Sequence, residues 1–162
     1  MVADSGLNEG DCFCVPLPGD GYGVGVVARL GAPGLVLGYF DSTRYGSIPS
    51  LDDVTFSADS SLWVNLFGDL GFLEHRWIIL GTIKDWDRDA WPLLDFAHHE
   101  ELTERSYRIS YGGDLRNQSE QSLVGPEELV GLPEHGVAGA KFVELKLDSS
   151  FRNSRRRRSE VP

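Results

Sequence analysis

The sequence predicts a mainly β protein, α+β at most, built as a small, strongly coiled, barrel-like antiparallel sheet with one or two short helices and long loops. Three observations support this fold class. Several short runs alternate between two sets of side chains with the period of a strand. Turn residues, mainly Gly, Pro, Asp and Ser, separate these runs. Gly23 and Gly25 lie inside one run, where the missing side chains indicate close backbone approach or strong coiling.

Residues 10–41 predict a three-stranded meander around which the rest of the chain is organised. The first strand places apolar residues on one face and both cysteines on the other. A Pro-Gly-Asp-Gly turn follows it, and a second Gly- and Pro-containing turn precedes the third strand. The strands are predicted at residues 11–17, 22–28 and 35–40, and the two faces of the first strand are Phe13, Val15 and Leu17 against Cys12 and Cys14.

The remaining elements are shorter and less regular. The most apolar run, residues 76–83, predicts a central strand, and the polar segment 84–105 predicts a loop in which Trp86 and Trp91 lie against the barrel. Pro at its first position and Gly after its end favour a short helix at residues 126–130. Further strands are predicted at residues 62–67, 106–111 and 142–147, after a long surface connection at residues 42–61.

The chain has the length of one ordinary domain. We expect a single β-rich domain at residues 1–148 and a disordered basic tail at residues 149–162, which includes four consecutive arginines at positions 155–158. Cys12 and Cys14 are two apart on one strand, so they are expected to be reduced packing thiols rather than a disulfide.

The charge of the chain is strongly uneven. The formal net charge is −10, but residues 1–151 carry 24 acidic and 10 basic side chains, a balance of −14. Such a body repels nucleic acid and anionic membranes and attracts basic partners. Neither a signal-peptide pattern at residues 1–9 nor an apolar run of bilayer length is seen, so we expect a cytoplasmic protein.

Several patterns resemble chemical sites but fail in their context. Residues 23–28 fit a relaxed dinucleotide pattern, yet they lie in a strand without a following helix. Asp85, Asp87 and Asp89 have the opening spacing of a calcium loop but lack its Gly and final acid. The run His98-His99-Glu100-Glu101 lacks partner ligands at metal-binding spacing. We therefore expect no metal, no cofactor and no catalytic set, so the sequence favours a protein that is not an enzyme.

Two blocks of sequence carry a family resemblance. The residues GDCFCVPL at 10–17 and GYGVGVV at 21–27, with the later strands WIILG at 77–81 and VELKL at 143–147, resemble the immunity protein 26 family of bacterial polymorphic-toxin systems. The resemblance implies a β-rich protein without catalytic residues that binds a cognate toxin domain and protects the producing cell. The acidic body agrees with a basic toxin partner.

Two other functions remain open at this point. A small barrel with this beginning also resembles the growth-inhibitor endoribonucleases, although their RNA-facing groove is basic. A small-molecule or peptide-binding β-barrel would need an aromatic-lined cavity, for which Tyr22, Tyr39, Trp63 and Trp77 are available, and core packing is the alternative role of each. The sequence assigns no oligomeric state.

The candidate partner-binding residues are acids in the predicted loop together with its two tryptophans. Loops commonly carry binding residues, and tryptophan is a frequent anchor at interfaces. The alternative is a solvated loop that two tryptophans pin to the sheet. The candidates are Asp85, Trp86, Asp87, Asp89, Trp91, Glu100 and Glu101.

Overall fold

The computed structural model describes residues 5–159, with no side chains described beyond residue 155. Within them, nine strands form two sheets, and the prediction of a mainly β protein is confirmed. The larger sheet has the order β5-β1-β2-β3-β4-β9 and the smaller one the order β6-β7-β8. The strands are β1 Asp11–Pro16, β2 Tyr22–Leu30, β3 Leu35–Asp41, β4 Ser61–Gly68, β5 Ile78–Thr82, β6 Phe96–Glu100, β7 Arg105–Ser110, β8 Glu120–Val124 and β9 Val137–Ala138.

The predicted meander is the centre of the larger sheet. β1 pairs antiparallel with β2, with Phe13 opposite Gly25, and β2 pairs antiparallel with β3, with Val26 opposite Tyr39. The first turn closes with the Leu17 amide donating to the Gly21 carbonyl at 3.0 Å. Both faces of these strands are buried, because a separate apolar cluster covers each face.

The two strand glycines lie where the sequence predicts close approach. A Cβ added at Gly25 would lie 2.5 Å from Cζ of Phe13, and one added at Gly23 would lie 2.9 Å from Cδ1 of Leu147. Real Cβ atoms do not approach so closely, so a larger residue at either position would force the Phe13 ring or the Leu147 side chain to shift. The glycines thus admit the Phe13 ring and the covering helix to the sheet surface.

The structure has two α-helices, the single turn α1 Leu70–Leu73 and the long helix α2 Ala140–Ser159, among the described residues. The first core cluster lies between one face of the larger sheet and α2. Phe13 is its centre, in ring contact with Phe40, Phe67, Phe72 and Trp77 at centroid distances of 5.0–5.9 Å. Offset and edge-to-face rings of this kind add to the stabilisation from burial alone. The helix contributes Ala140, Val143, Leu147 and Phe151.

The second core cluster lies on the opposite face. It contains the two cysteines with Val24 and Tyr39 of the larger sheet, and it is closed by Phe96, Ile109 and Trp91 from the second half of the chain. Residues 133–138 join the two sheets, since the Ala97 amide donates to the Pro133 carbonyl at 2.8 Å and β9 pairs in parallel with β4. The larger sheet is therefore packed on both sides.

Helix α2 corrects two predictions made from the sequence. Residues 142–147 were expected to form a strand, and residues 149–162 a disordered tail, but α2 runs through Ser159 and crosses that boundary. The buried residues Val143, Leu147 and Phe151 are spaced by four, as on one face of a helix. The local alternation in residues 142–147 hid this longer period. Residues 160–162 of the expected tail lie outside the described residues.

The structure also corrects predictions about the topology of the larger sheet and about several short elements. The larger sheet is not closed into a barrel, and its parallel β4–β9 pair makes it mixed rather than purely antiparallel. β5 is an edge strand rather than a central one. The expected loop at residues 84–105 contains β6, and β8 was not predicted, because both strands are rich in polar residues and lack a clear apolar face. The short helix at residues 126–130 is one 3₁₀ turn, Pro126–Leu129.

Candidate functional site

The acidic loop, which we define as residues 85–91, follows β5 directly. Asp85 has a left-handed backbone with φ 55°, a conformation that Asp tolerates better than most residues. The side chain of Asp87 accepts a hydrogen bond from the Asp89 amide at 3.0 Å and so caps the 3₁₀ turn Arg88–Ala90. All three carboxylates are exposed. The loop therefore presents three negative charges on an ordered backbone.

Two residues of the larger sheet hold this loop in place. The buried guanidinium of Arg29 donates to the carbonyls of Trp91 at 3.0 Å and Arg88 at 3.1 Å, and it also contacts the Ala28 carbonyl. The hydroxyl of Tyr39 donates to the carbonyl of Pro92. Burial is the main cause that lowers the pKa of Arg29 and raises the pKa of Tyr39 to about 12. Because water does not compete for these buried hydrogen bonds, Arg29 and Tyr39 keep the acidic loop close to one conformation.

The two tryptophans of the acidic loop differ in their exposure. Trp91 is only 7% exposed and packs edge-on against Tyr39 and Phe56, with ring centroids 5.4 and 5.3 Å away. Trp86 stacks on Trp91 at 6.0 Å and is half-buried. This packing favours a structural role for Trp91, which anchors the acidic loop to the larger sheet. Trp86 keeps a partly exposed ring.

Glu100 and Glu101 lie elsewhere in the structure. Glu100 ends β6 opposite Arg105 and accepts a hydrogen bond from the Thr103 hydroxyl at 2.8 Å, and Glu101 is exposed in the turn that follows. Across residues 5–159, no hydrogen bond or ion pair joins them to the acidic loop. The structure therefore brings five of the seven candidates together and leaves these two on the smaller sheet.

The surrounding groups offer little for catalysis or metal binding. Within residues 5–159 no cluster of three or more His, Cys, Asp or Glu side chains could hold a metal ion. Cys12 and Cys14 are buried free thiols, and burial, more than the nearby Asp41, raises the pKa of Cys12 to about 12. A thiol with that pKa is a poor nucleophile at neutral pH. Among the described residues, no helix combines the length and apolar character that a membrane span requires.

Sequence reasoning did not single out Arg29, the residue that positions the acidic loop. The available signal was a charged side chain inside an otherwise apolar run, Val24 to Leu30. A charge at such a position needs buried acceptors, and backbone carbonyls from a distant loop are one way to supply them.

Comparison with models of known protein families gives a match. A family model described as Immunity protein 26 matches residues 8–108. That stretch contains β1 to β5, the acidic loop, β6 and part of β7. Searches of the curated proteins and of the solved structures gave no match.

Proposed function

We propose that this chain, which belongs to the immunity protein 26 family, binds a cognate bacterial toxin domain in the cytoplasm of the producing cell and neutralises it by protein–protein contact without catalysis. Family membership supports the immunity role and a toxin partner. The nature of the toxin, its basic surface and the contact residues belong to the proposal.

The main support for the proposed contact site is the geometry of the acidic loop. It lies inside the stretch that matches the family, and it presents Asp85, Asp87 and Asp89 on a backbone fixed by Arg29. A preformed loop loses little conformational entropy on binding. Exposed charges of one sign speed the encounter with an oppositely charged partner. These properties suit the rapid capture of a basic toxin.

The alternative functions receive less support. A small-molecule barrel needs a lumen, and the larger sheet stays open. A ribonuclease of the growth-inhibitor type needs a basic groove for RNA, whereas residues 1–151 carry a formal charge of −14.

The test measures binding to the toxin domain encoded beside this chain. Asp85, Asp87 and Asp89 are replaced together by Asn, which tolerates the left-handed backbone at position 85 and retains capping ability at position 87. We expect association at low salt to slow about tenfold and its salt dependence to flatten.

A matched control separates local charge from net charge. Asp59→Asn, Glu120→Gln and Glu127→Gln remove the same number of exposed charges elsewhere, and association should stay within about twofold of the wild-type rate. Equal slowing in both variants would place the binding surface outside the acidic loop. If the chain neither bound that toxin nor relieved its toxicity on co-expression, the immunity proposal would fall.

A further inference from the structure

β5 lies at the edge of the larger sheet, although its apolar sequence is typical of a central strand. Its residues Ile78–Thr82 contain no charged side chain, and on one side they pair with β1. No strand among the described residues pairs with the other side. Ile78 is 42% exposed and Ile79 39% exposed. Strands with apolar residues on both faces are usually covered by neighbours, so this one lacks a neighbour that its composition suits.

The other sheet edges in the described part of the chain are protected. β9 is two residues long, β6 ends in Glu100 and is bridged at Ala97 by Glu134, and β8 begins with Glu120. Short length, charge and coverage are the usual ways to prevent unwanted strand pairing. β5 has such protection only at its C-terminal end, where the pairing with β1 is bulged and Leu51 lies against Gly81.

An apolar groove runs beside the open part of β5. It is lined by Phe72, Leu73 and Trp77 together with the two exposed isoleucines, and Ser5 and His75 complete the lining. The amides of Arg76 and Trp77 already donate to the Gly71 carbonyl, both at 3.0 Å, so the segment available for pairing is residues 78–80. This groove can receive apolar side chains of an added strand while its backbone pairs with β5.

The charges near β5 indicate which kind of partner would fill the groove and pair with this strand. The chain leaves β5 through Lys84 and enters the acidic loop, so Asp85 and Asp87 follow the last residue of β5 by three and five positions. The described side chains that line the groove include His75 but none of Asp, Glu, Lys or Arg. A second copy of this chain is a poorer occupant, because two chains that each carry a formal net charge of −10 repel each other.

We propose that residues 78–80 of β5 pair with an extended strand of the toxin, which places apolar side chains in the groove and basic side chains beside Asp85 and Asp87. This inference rests on the proposed function and specifies its binding mode. Backbone pairing and apolar contacts supply affinity, and the acidic loop sets the direction and register of the added strand.

The first measurement is hydrogen exchange of the native protein with and without the neighbouring toxin domain. Outward-facing amides of residues 78–80 should exchange at least about tenfold more slowly in the complex, because an added strand supplies hydrogen-bond acceptors. The wild-type protein is used, so this result does not depend on the folding of a variant.

The second measurement uses two variants with the same added charge. Ile79→Lys places a charge at the open edge, and Leu123→Lys places one on β8, where the side chain is 66% exposed. We expect Ile79→Lys to weaken toxin binding at least about tenfold, or 1.4 kcal/mol, and Leu123→Lys to change it less than about twofold.

The outcomes separate this inference from the proposed function. Toxin binding with unprotected amides at residues 78–80 and unchanged affinity of Ile79→Lys would overturn strand addition and leave the immunity role standing. Protection that appears without toxin, rises with protein concentration and accompanies a dimer in sedimentation would assign the edge to a second copy and also overturn it. Absence of any toxin binding would remove the proposed function itself.

Discussion

The two sheets of this protein differ in how many of their faces are buried. Nearly every residue of β1, β2 and β3 in the larger sheet is buried, since apolar clusters cover both faces. In the smaller sheet, the buried residues are Phe96 of β6 and Ser106 and Ile109 of β7, and β8 has none. The larger sheet is thus a central layer, and the smaller sheet is a cover over its second face.

This difference shows how the free energy of folding is distributed. Burial of apolar area is the main favourable contribution, at about 25 cal/mol per Å², and most of it lies on the two faces of the larger sheet. The smaller sheet contributes a few apolar side chains and many solvated ones. Substitutions of the same kind should therefore have very different effects in the two sheets.

The largest difference is expected for a charge placed in each sheet. Phe13→Asp puts a carboxylate into the first core cluster, where Phe13 is fully buried. It should cost more than about 4 kcal/mol of unfolding free energy and leave the chain unfolded. Thermal and urea unfolding followed by near-UV circular dichroism measure this effect.

The matched substitution in the smaller sheet is Leu123→Asp, at a position that is 66% exposed. Its cost should stay within about 0.5 kcal/mol. Similar losses in both variants would show that the smaller sheet contributes to a shared core, and the distinction between the two sheets would fail.

An intermediate effect is expected on helix α2, which covers the larger sheet. Phe151→Ala empties a position that is 6% exposed and should cost about 3 kcal/mol, whereas Phe142→Ala, at 56% exposure on the same helix, should cost less than about 1 kcal/mol. Urea unfolding of both variants measures the ratio. Equal costs would mean that the C-terminal half of α2 is detached from the sheet.

The smallest effect is expected from pH and falls on the smaller sheet. His135 Nε2 lies 2.9 Å from the Tyr111 hydroxyl, and burial, more than the nearby His98, lowers the pKa of His135 below its ordinary 6.5. The stability contributed by neutral His135 is therefore present above pH 6.5 and is lost as the pH falls below it. Native-state hydrogen exchange at pH 7 and pH 5, corrected for intrinsic rates, should show faster opening of β6 and β7 and unchanged β1–β3.

A His135→Gln variant supplies the comparison for this pH effect, because Gln does not titrate. Its β6 and β7 amides should show a smaller change between the two pH values. Equal acceleration in β1–β3, or the same change in the variant, would assign the pH effect to other groups.

The contrast between the sheets also explains which parts of the fold the sequence predicts. The meander is predictable because Phe13 and Val15 alternate with other small or apolar residues and Gly-rich turns mark its limits. β6 and β8 are not, because residues such as His98, His99 and Gln121 give no apolar face. Their strand conformation depends on pairing with β7, which their own side-chain pattern does not indicate.

The candidate site was predictable in part for a similar reason. Exposed acids in a polar segment are visible in the sequence, and Asp85, Asp87 and Asp89 do lie together on one loop. The burial of Trp91 and the hydrogen bonds from Arg29 to the acidic loop are not visible in the sequence. They depend on contacts between residues about 60 positions apart. β5 was misplaced at the centre of the sheet because composition reports which surroundings a strand suits, not whether another strand of the same chain supplies them.

The contact between helix α2 and β2 determines when this protein can fold during its synthesis. Gly23 and Gly25 lie early in the chain, and Leu147 and Phe151, which cover this region, come more than a hundred residues later. At about 5–20 residues per second, roughly 6–25 s separate the synthesis of the two parts. During that interval the nascent sheet carries an uncovered apolar face, and exposed surface of this kind favours aggregation. A pause in translation before residue 151 would leave the growing chain without its native core.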